Sequence, residues 1–219
     1  MDAELKNSIL KTGTTILGIV CKEGVVVASD RQMTSGGHMA GNKNFPKTHK
    51  INDYSLMSFA GNASDAQRLL KLVGSELKLK ELRSKSRPTV QQAASLTASI
   101  SYSNIRQPSM IPNIVGTLIG GFNEDGSTGL FTIGPDGTIM RVEDYESTGS
   151  GSTFVIGLLE RQYKKDMSLK EVVELAKESL KSSTQRDIYS GYGIDIFTIT
   201  KEGIQKVVEQ VINPEYKDR

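Results

Sequence analysis

The order of strand-like and helix-like segments constrains the fold of this 219-residue chain more than any other feature. After a polar stretch that ends at Gly13, residues 14–21 and 24–29 become apolar and β-branched. They are separated by a short turn, which is typical of a hairpin. A further strand is predicted at residues 55–61. We therefore place the start of the folded domain near Gly13.

Two pairs of helices are predicted between the strands. In the first pair, apolar residues recur at helical spacing behind a capping box of Ser64 and Gln67 and behind a second of Thr89 and Gln92. The second pair begins after the GSGS sequence at 149–152 and after a capping box of Ser168 and Glu171. Each pair is contiguous in sequence.

Strands return between and after the helix pairs. Residues 113–122, 127–134 and 137–145 are separated by turn sequences and predict an antiparallel meander. Residues 193–200 and 204–211 close the chain as a second hairpin. Hairpin-linked strands beside paired helices predict one α+β domain in which antiparallel sheets are covered by helices.

Composition excludes several classes of function. The 27 basic and 25 acidic residues give a net charge of +2 without a basic cluster, so neither nucleic acid nor a membrane surface is an expected partner. A single cysteine, Cys21, excludes an intrachain disulfide, and two histidines make a zinc site improbable. The polar N-terminus lacks the apolar region of a secretory signal. We expect a cytoplasmic protein with no metal and no cofactor.

The scarcity of histidine also argues against an ordinary serine or cysteine triad, because histidine is its usual base. An α-amine can replace histidine if the peptide bond before a hydroxyl residue is cut, since its reference pKa is about 7.7–8.0. Thr14 after Gly13 suits that chemistry. A threonine pair at a strand start is also explained by β-propensity alone.

Taken together, residues 13 to about 208 resemble the β-type subunits of the 20S proteasome, which are threonine proteases of the N-terminal nucleophile hydrolase class. The resemblance is carried, in order, by these motifs: TG before TTILGIV, VVVASDRQMT, the lysine of FPKTHKI, MSFAGNASDAQ, STGSGSTFVIGLLE and QRDIYSGYGIDIFTIT. It implies a four-layer αββα sandwich of two antiparallel sheets flanked by helices.

The resemblance also implies a catalytic centre. Thr14 would be the nucleophile, Gly13-Thr14 the autoprocessing bond, residues 1–13 a propeptide and residues 14–219 a single catalytic domain. Asp30 would pair with Lys47, whose charge near Thr14 favours the alkoxide and the neutral amine. Without the resemblance, Asp30 is more simply explained as the end of a strand and Lys47 as one of many solvated lysines.

The remaining site positions follow from the same resemblance. Gly61 would donate its backbone N–H to the oxyanion. Three polar residues would hydrogen-bond around the nucleophile and its amine: Ser150, Asp187 and Ser190. Four positions match the family's substrate pocket: Met33, His49, Phe59 and Ala63. Met33 and Phe59 would form an apolar wall, which predicts cleavage after hydrophobic residues.

The implied function requires assembly. Seven β subunits would form a ring, two such rings would stack, α-subunit rings would cap them, and an ATP-dependent unfoldase would deliver unfolded polypeptide. One alternative is an unprocessed β subunit that builds the ring without activity of its own. Another is the simpler bacterial HslV-like peptidase, although the chain length and QRDIYSG favour the proteasome type.

Overall fold

A computed structural model describes residues 13–212 of the chain. The predicted propeptide, apart from Gly13, lies outside the described residues. The elements follow one another as β1 (Ile16–Cys21), β2 (Gly24–Asp30), β3 (Met33–Ser35), β4 (Met39–Asn42), β5 (Thr48–Lys50), β6 (Ser55–Gly61), α1 (Ala63–Ser84), α2 (Val90–Ile105), β7 (Val115–Phe122), β8 (Thr128–Ile133), β9 (Ile139–Arg141), β10 (Tyr145–Thr148), α3 (Ser152–Gln162), α4 (Leu169–Arg186), β11 (Gly193–Thr200) and β12 (Gly203–Val211). None of the described helices is long and apolar enough to cross a membrane.

Two five-stranded antiparallel sheets organise these elements. The first has the strand order β10-β1-β2-β11-β12, and the second has the order β5-β6-β7-β8-β9. A separate two-stranded ribbon pairs β3 with β4. The prediction of an α+β sandwich with two antiparallel sheets is confirmed.

Three apolar layers hold the sandwich together. Helices α1 and α2 pack on the second sheet through a core that includes Leu69 and Phe131. Helices α3 and α4 pack on the first sheet through a core that includes Leu159 and Val26. The two sheets meet through a third cluster that includes Val27. Val26 and Val27 face opposite cores because successive strand side chains point to opposite faces.

Local sequence signals locate most elements, with three corrections. Helix α1 is capped by Asn62, whose side chain accepts from the Ser64 and Asp65 N–H groups, so the predicted Ser64 capping box is wrong. The predicted strand at 137–145 is two strands, β9 and β10, in different sheets. Strands β3, β4 and β5 were not predicted. The capping boxes at Thr89 and Ser168 are confirmed.

The ends of four strands lie close together at one edge of the sandwich. Thr14 and Thr15 precede β1, and Asp30 ends the neighbouring strand β2. In the second sheet, Lys47 precedes β5 and Gly61 ends β6. Within each sheet the register pairs Ile16 with Ser29 and Thr48 with Ser58, and between the sheets the Thr48 hydroxyl donates to Ser29 Oγ at 3.1 Å.

Candidate active site

Asp30 is the polar centre of this edge. Its side chain has no solvent exposure and accepts four hydrogen bonds. Oδ1 accepts from Thr15 N–H at 2.8 Å and from Lys47 Nζ at 2.6 Å. Oδ2 accepts from Gln32 N–H at 2.9 Å and from Gly191 N–H at 3.1 Å. Two donors on each oxygen are what an ionised carboxylate requires when it is buried away from water.

Lys47 reaches this carboxylate from the second sheet, where it immediately precedes β5. Its side chain is 2% exposed, and Nζ donates both to Asp30 and, at 3.2 Å, to the carbonyl oxygen of Gly13. Burial lowers the pKa of Lys47 from the ordinary lysine value of 10.5, and the charge of Asp30 opposes that shift. The ammonium therefore lies against one peptide carbonyl, with a single carboxylate partner at hydrogen-bond distance.

The Gly13–Thr14 junction lies directly against this pair. The Thr14 hydroxyl donates to the Gly13 carbonyl oxygen at 2.6 Å, and Thr14 is 5% exposed. A Cβ on residue 13 would lie 1.7 Å from Cβ of Tyr189. Glycine is therefore required at this position by contact with Tyr189, which sequence reasoning did not identify.

A second polar group holds the nitrogen side of the junction. The Thr14 N–H donates to Ser150 Oγ at 3.1 Å, and Ser150 Oγ donates to Asp187 Oδ2 at 2.6 Å. Ser190 Oγ donates to the same carboxylate oxygen at 2.6 Å, and Tyr189 N–H donates to Oδ1 at 3.1 Å. The structure thus places Ser150, Asp187 and Ser190 together beside Thr14.

The glycines on either side of Ser150 make room for the segment that begins with Thr14. Gly149 has a φ of +104°, and a Cβ there would lie 2.1 Å from the Thr14 carbonyl oxygen. A Cβ on Gly151 would lie 1.9 Å from Thr15 Oγ1. The GSG sequence therefore reflects close packing against residues 14–15 rather than only a helix start.

Two hydroxyls in this region were missed by sequence reasoning. Thr15 Oγ1 lies 2.6 Å from Ser183 Oγ and 2.8 Å from Ser190 Oγ. Thr15 and Ser183 have no solvent exposure. Ser183 lies on the buried face of α4, where a serine gives no sequence signal beyond the helical pattern.

A cavity of about 330 Å³ opens beside Thr14 and Lys47. Of the predicted pocket residues, Met33, Phe59 and Ala63 line it. His49 does not; its ring stacks on Phe59 at a centroid distance of 5.7 Å, and its Nε2 lies 3.0 Å from the Pro46 carbonyl oxygen. Phe45, which was not predicted, lines the cavity instead, with its ring edge-on to Phe59 at 6.2 Å.

Gly61 also lines the cavity, at the end of β6. Its φ is +138°, and a Cβ there would lie 2.2 Å from the carbonyl oxygen of Ile114. Only glycine fits this backbone without strain. The main chain of β6 therefore borders the same cavity as Thr14 and Lys47.

The arrangement can support nucleophilic chemistry without histidine. It combines a buried hydroxyl, an ammonium that contacts the adjacent carbonyl, and a peptide nitrogen held by a serine–aspartate pair. The histidines lie elsewhere: His49 beside Phe59, and His38 exposed with Nδ1 2.8 Å from the Gly36 carbonyl. Across residues 13–212, no three His, Cys, Asp or Glu side chains are grouped as metal ligands.

Comparison with known proteins gives a consistent result. Residues 10–199 match the family described as Proteasome subunit. A protein named proteasome subunit beta from Nanoarchaeum equitans is 39% identical over 194 residues, which cover 89% of this chain and 96% of that protein. The proteasome subunit beta of Methanopyrus kandleri is 36% identical, with coverage of 93% and 95%, and that of Methanocaldococcus vulcanius is 34% identical, with coverage of 91% and 87%.

Proposed function

Since this chain belongs to the proteasome subunit family, we propose that it is a catalytic β subunit of the 20S core particle and a threonine endopeptidase. The family is one of peptide-bond hydrolases. The finer assignment makes Thr14 the nucleophile and residues 1–13 a propeptide that the chain removes from itself.

One observation carries this proposal: two chemically suitable groups meet at the Gly13 carbonyl. The Thr14 hydroxyl and the Lys47 ammonium both donate to its oxygen, at 2.6 and 3.2 Å. The hydroxyl is thereby held next to the bond it would attack. The ammonium is placed where negative charge develops on that oxygen, which is the arrangement that lowers the barrier to acyl transfer.

Processing would proceed by an acyl shift. Thr14 Oγ1 forms a bond to the carbonyl carbon of Gly13 and gives up its hydroxyl proton. The carbon–nitrogen bond breaks, and that proton passes to the Thr14 nitrogen, which becomes a free amine. Water then hydrolyses the ester, which leaves Gly13 with a carboxylate and Thr14 with its hydroxyl. Ser150 accepts from the Thr14 nitrogen before the cut, so the new amine is oriented from the start.

Peptide hydrolysis would reuse these groups. The Thr14 amine accepts the proton of its own hydroxyl as Oγ1 attacks a substrate carbonyl, then returns it to the leaving amine, and water releases the acyl group. Lys47 supplies positive charge beside Oγ1, with Asp30 fixing its position. Gly61, whose backbone borders the cavity, supplies an oxyanion N–H, and removal of such a donor costs about a hundredfold or more in rate.

The substrate is proposed to be unfolded polypeptide. Met33, Phe45 and Phe59 give the cavity an apolar wall, which favours hydrophobic residues on the acyl side of the cut bond. Membership of the family implies assembly with other subunits of the core. We propose seven-membered β rings stacked in pairs, capped by α-subunit rings and served by an ATP-dependent unfoldase in the cytoplasm.

The test is the fate of residues 1–13 in the assembled particle. Wild-type chains should have the mass of residues 14–219 and should cleave a fluorogenic peptide with a hydrophobic residue before the cut. Thr14→Ala should abolish both processing and cleavage, whereas Thr14→Ser, which keeps a hydroxyl, should retain both at reduced rate. Fully active particles in which every copy still carries Met1 would refute the proposal and favour a different nucleophile.

A further inference from the structure

A chain of buried hydroxyls connects helix α4 to the Thr14 site. It runs from Ser183 through Thr15 and Ser190 to the Asp187 carboxylate. We infer that Thr15 and Ser183 are positioning residues for catalysis, which act through Ser190 and Asp187 to hold the Thr14 amine. This inference rests on the proposed role of Thr14 as nucleophile.

The direction of the chain follows from counting protons. An ionised carboxylate can only accept hydrogen bonds, and each hydroxyl has one proton to give. The Ser190 proton goes to Asp187 Oδ2 at 2.6 Å. Towards Thr15, 2.8 Å away, Ser190 can therefore only accept, so Thr15 Oγ1 donates to Ser190 Oγ.

The same count fixes the outer link. Because the Thr15 proton is used on Ser190, Thr15 Oγ1 accepts from Ser183, whose Oγ lies 2.6 Å away. All three donors thus point towards Asp187. On the other side of the carboxylate, Ser150 also gives its proton to Oδ2, at 2.6 Å, so its oxygen can accept from the Thr14 nitrogen.

Because these hydroxyls are buried, water does not compete for their hydrogen bonds. Thr15 and Ser183 are completely buried, and Ser190 is 3% exposed. The Gly151 backbone closes over them: a Cβ there would lie 1.9 Å from Thr15 Oγ1 and 2.8 Å from Ser183 Oγ. In such a low-dielectric setting, consecutive hydrogen bonds polarise and strengthen one another.

The consequence is specific to the chemical step. Without the Thr15 proton, Ser190 loses its donor and its hydroxyl is less firmly directed at Asp187, which in turn orients Ser150. Neither Thr15 nor Ser183 lines the substrate cavity. Loss of either hydroxyl should therefore lower kcat through the orientation of the Thr14 amine and leave KM almost unchanged.

Four variants of the full chain, purified as assembled particles, test this inference. Thr15→Val removes the hydroxyl at similar shape, Thr15→Ser keeps it, and Ser183→Ala removes the outer donor. The matched control is Ser179→Ala, one turn earlier on α4, because Ser179 is equally buried but its hydroxyl donates to the Leu175 carbonyl at 2.8 Å. Turnover is normalised to the number of processed N-termini found by mass spectrometry.

The expected result is a kcat about five- to tenfold lower in Thr15→Val and Ser183→Ala, with KM within about twofold of wild type. Thr15→Ser and Ser179→Ala should keep kcat within about twofold. The inference is overturned if Thr15→Val and Ser183→Ala match wild type, or if Ser179→Ala falls equally. If Thr15→Val does not assemble, Ser183→Ala against Ser179→Ala decides. An active Thr14→Ala would instead refute the proposed function.

Discussion

Removing one charge of the Asp30–Lys47 pair should destabilise the chain more than removing both. The side chains are 0% and 2% exposed and meet at 2.6 Å. In Asp30→Asn the Lys47 ammonium is left buried without its counter-charge. The amide NH₂ of the new side chain cannot accept hydrogen bonds, so it must face two of the four groups that donate to the carboxylate in the wild type.

The magnitude follows from these contacts. Breaking a buried ion pair from one side costs about 3–5 kcal/mol. Such a loss corresponds to a melting temperature roughly 6–20 °C lower for a chain of this size. Adding Lys47→Met removes the unpaired charge and leaves chiefly the orphaned Thr15 N–H, at about 1–3 kcal/mol. The double variant should therefore be more stable than Asp30→Asn, although it remains inactive.

The assay is thermal unfolding of assembled particles at one protein concentration, with peptide turnover measured in parallel. The control is Glu81→Gln, which breaks the exposed Lys78–Glu81 pair and should cost at most about 1 kcal/mol. A double variant less stable than Asp30→Asn would show that the two charges do not depend on each other, contrary to the geometry.

Changing pH gives a second check on Asp30→Asn. Burial holds the pKa of Lys47 below the unfolded value of 10.5, and loss of Asp30 removes the interaction that opposes this shift. Between the folded and unfolded pKa values the unfolded chain binds more protons, so stability rises with pH. The deficit of Asp30→Asn relative to wild type should therefore shrink as pH rises towards 10.5.

Three further outcomes are expected. Gly13→Ala should slow the proposed removal of residues 1–13 by about tenfold or more in a mass-spectrometric time course, because the new Cβ would clash with Tyr189 at 1.7 Å; normal processing would contradict that packing. As pH rises, the processing rate of the wild type should begin to fall before pH 10.5, because the pKa of Lys47 is lowered and the ammonium loses its proton below that pH. A rate that stays unchanged up to pH 10.5 would disprove the need for the ammonium. Burial raises the pKa of Cys21 above 9.0, so the stability that this thiol contributes is complete below about pH 9 and is lost as pH rises through the folded pKa. Denaturant titrations of Cys21→Ala at increasing pH should lack this loss. Identical pH profiles for the variant and the wild type would count against the buried thiol as its cause.

Local sequence patterns predicted the bounds and caps of those elements whose ends are set by their own residues. The β-branched and aromatic residues at 193–200 predicted β11 with the observed bounds, and Thr89 and Ser168 cap their helices as their capping boxes require. Asn62 displaced Ser64 as a cap because β6 ends at Gly61, and the Asn62 N–H donates to the carbonyl oxygen of Ile114, just before the neighbouring strand β7. A tertiary contact decided between two residues of equal capping ability.

The predicted strand at 137–145 illustrates a second limit. Neither glycine nor proline interrupts residues 138–145, but β9 pairs with β8 and β10 pairs with β1, in different sheets. Val142 lies between them in the core where the sheets meet. A local sequence pattern indicates which residues form a strand, whereas the choice of the partner strand depends on packing elsewhere in the chain.

Sequence alone determined the succession of hairpins and helix pairs, because hydrophobic periodicity and turn chemistry act over a few residues. It also singled out Thr14, Asp30 and Lys47 as candidates through family resemblance. Only the tertiary structure decided that Thr15 meets Ser183, 168 residues away, and that Phe45 rather than His49 borders the cavity. The physical reason is that a hydroxyl's partner is set by the packing of whole sheets and helices, which no short stretch of sequence specifies.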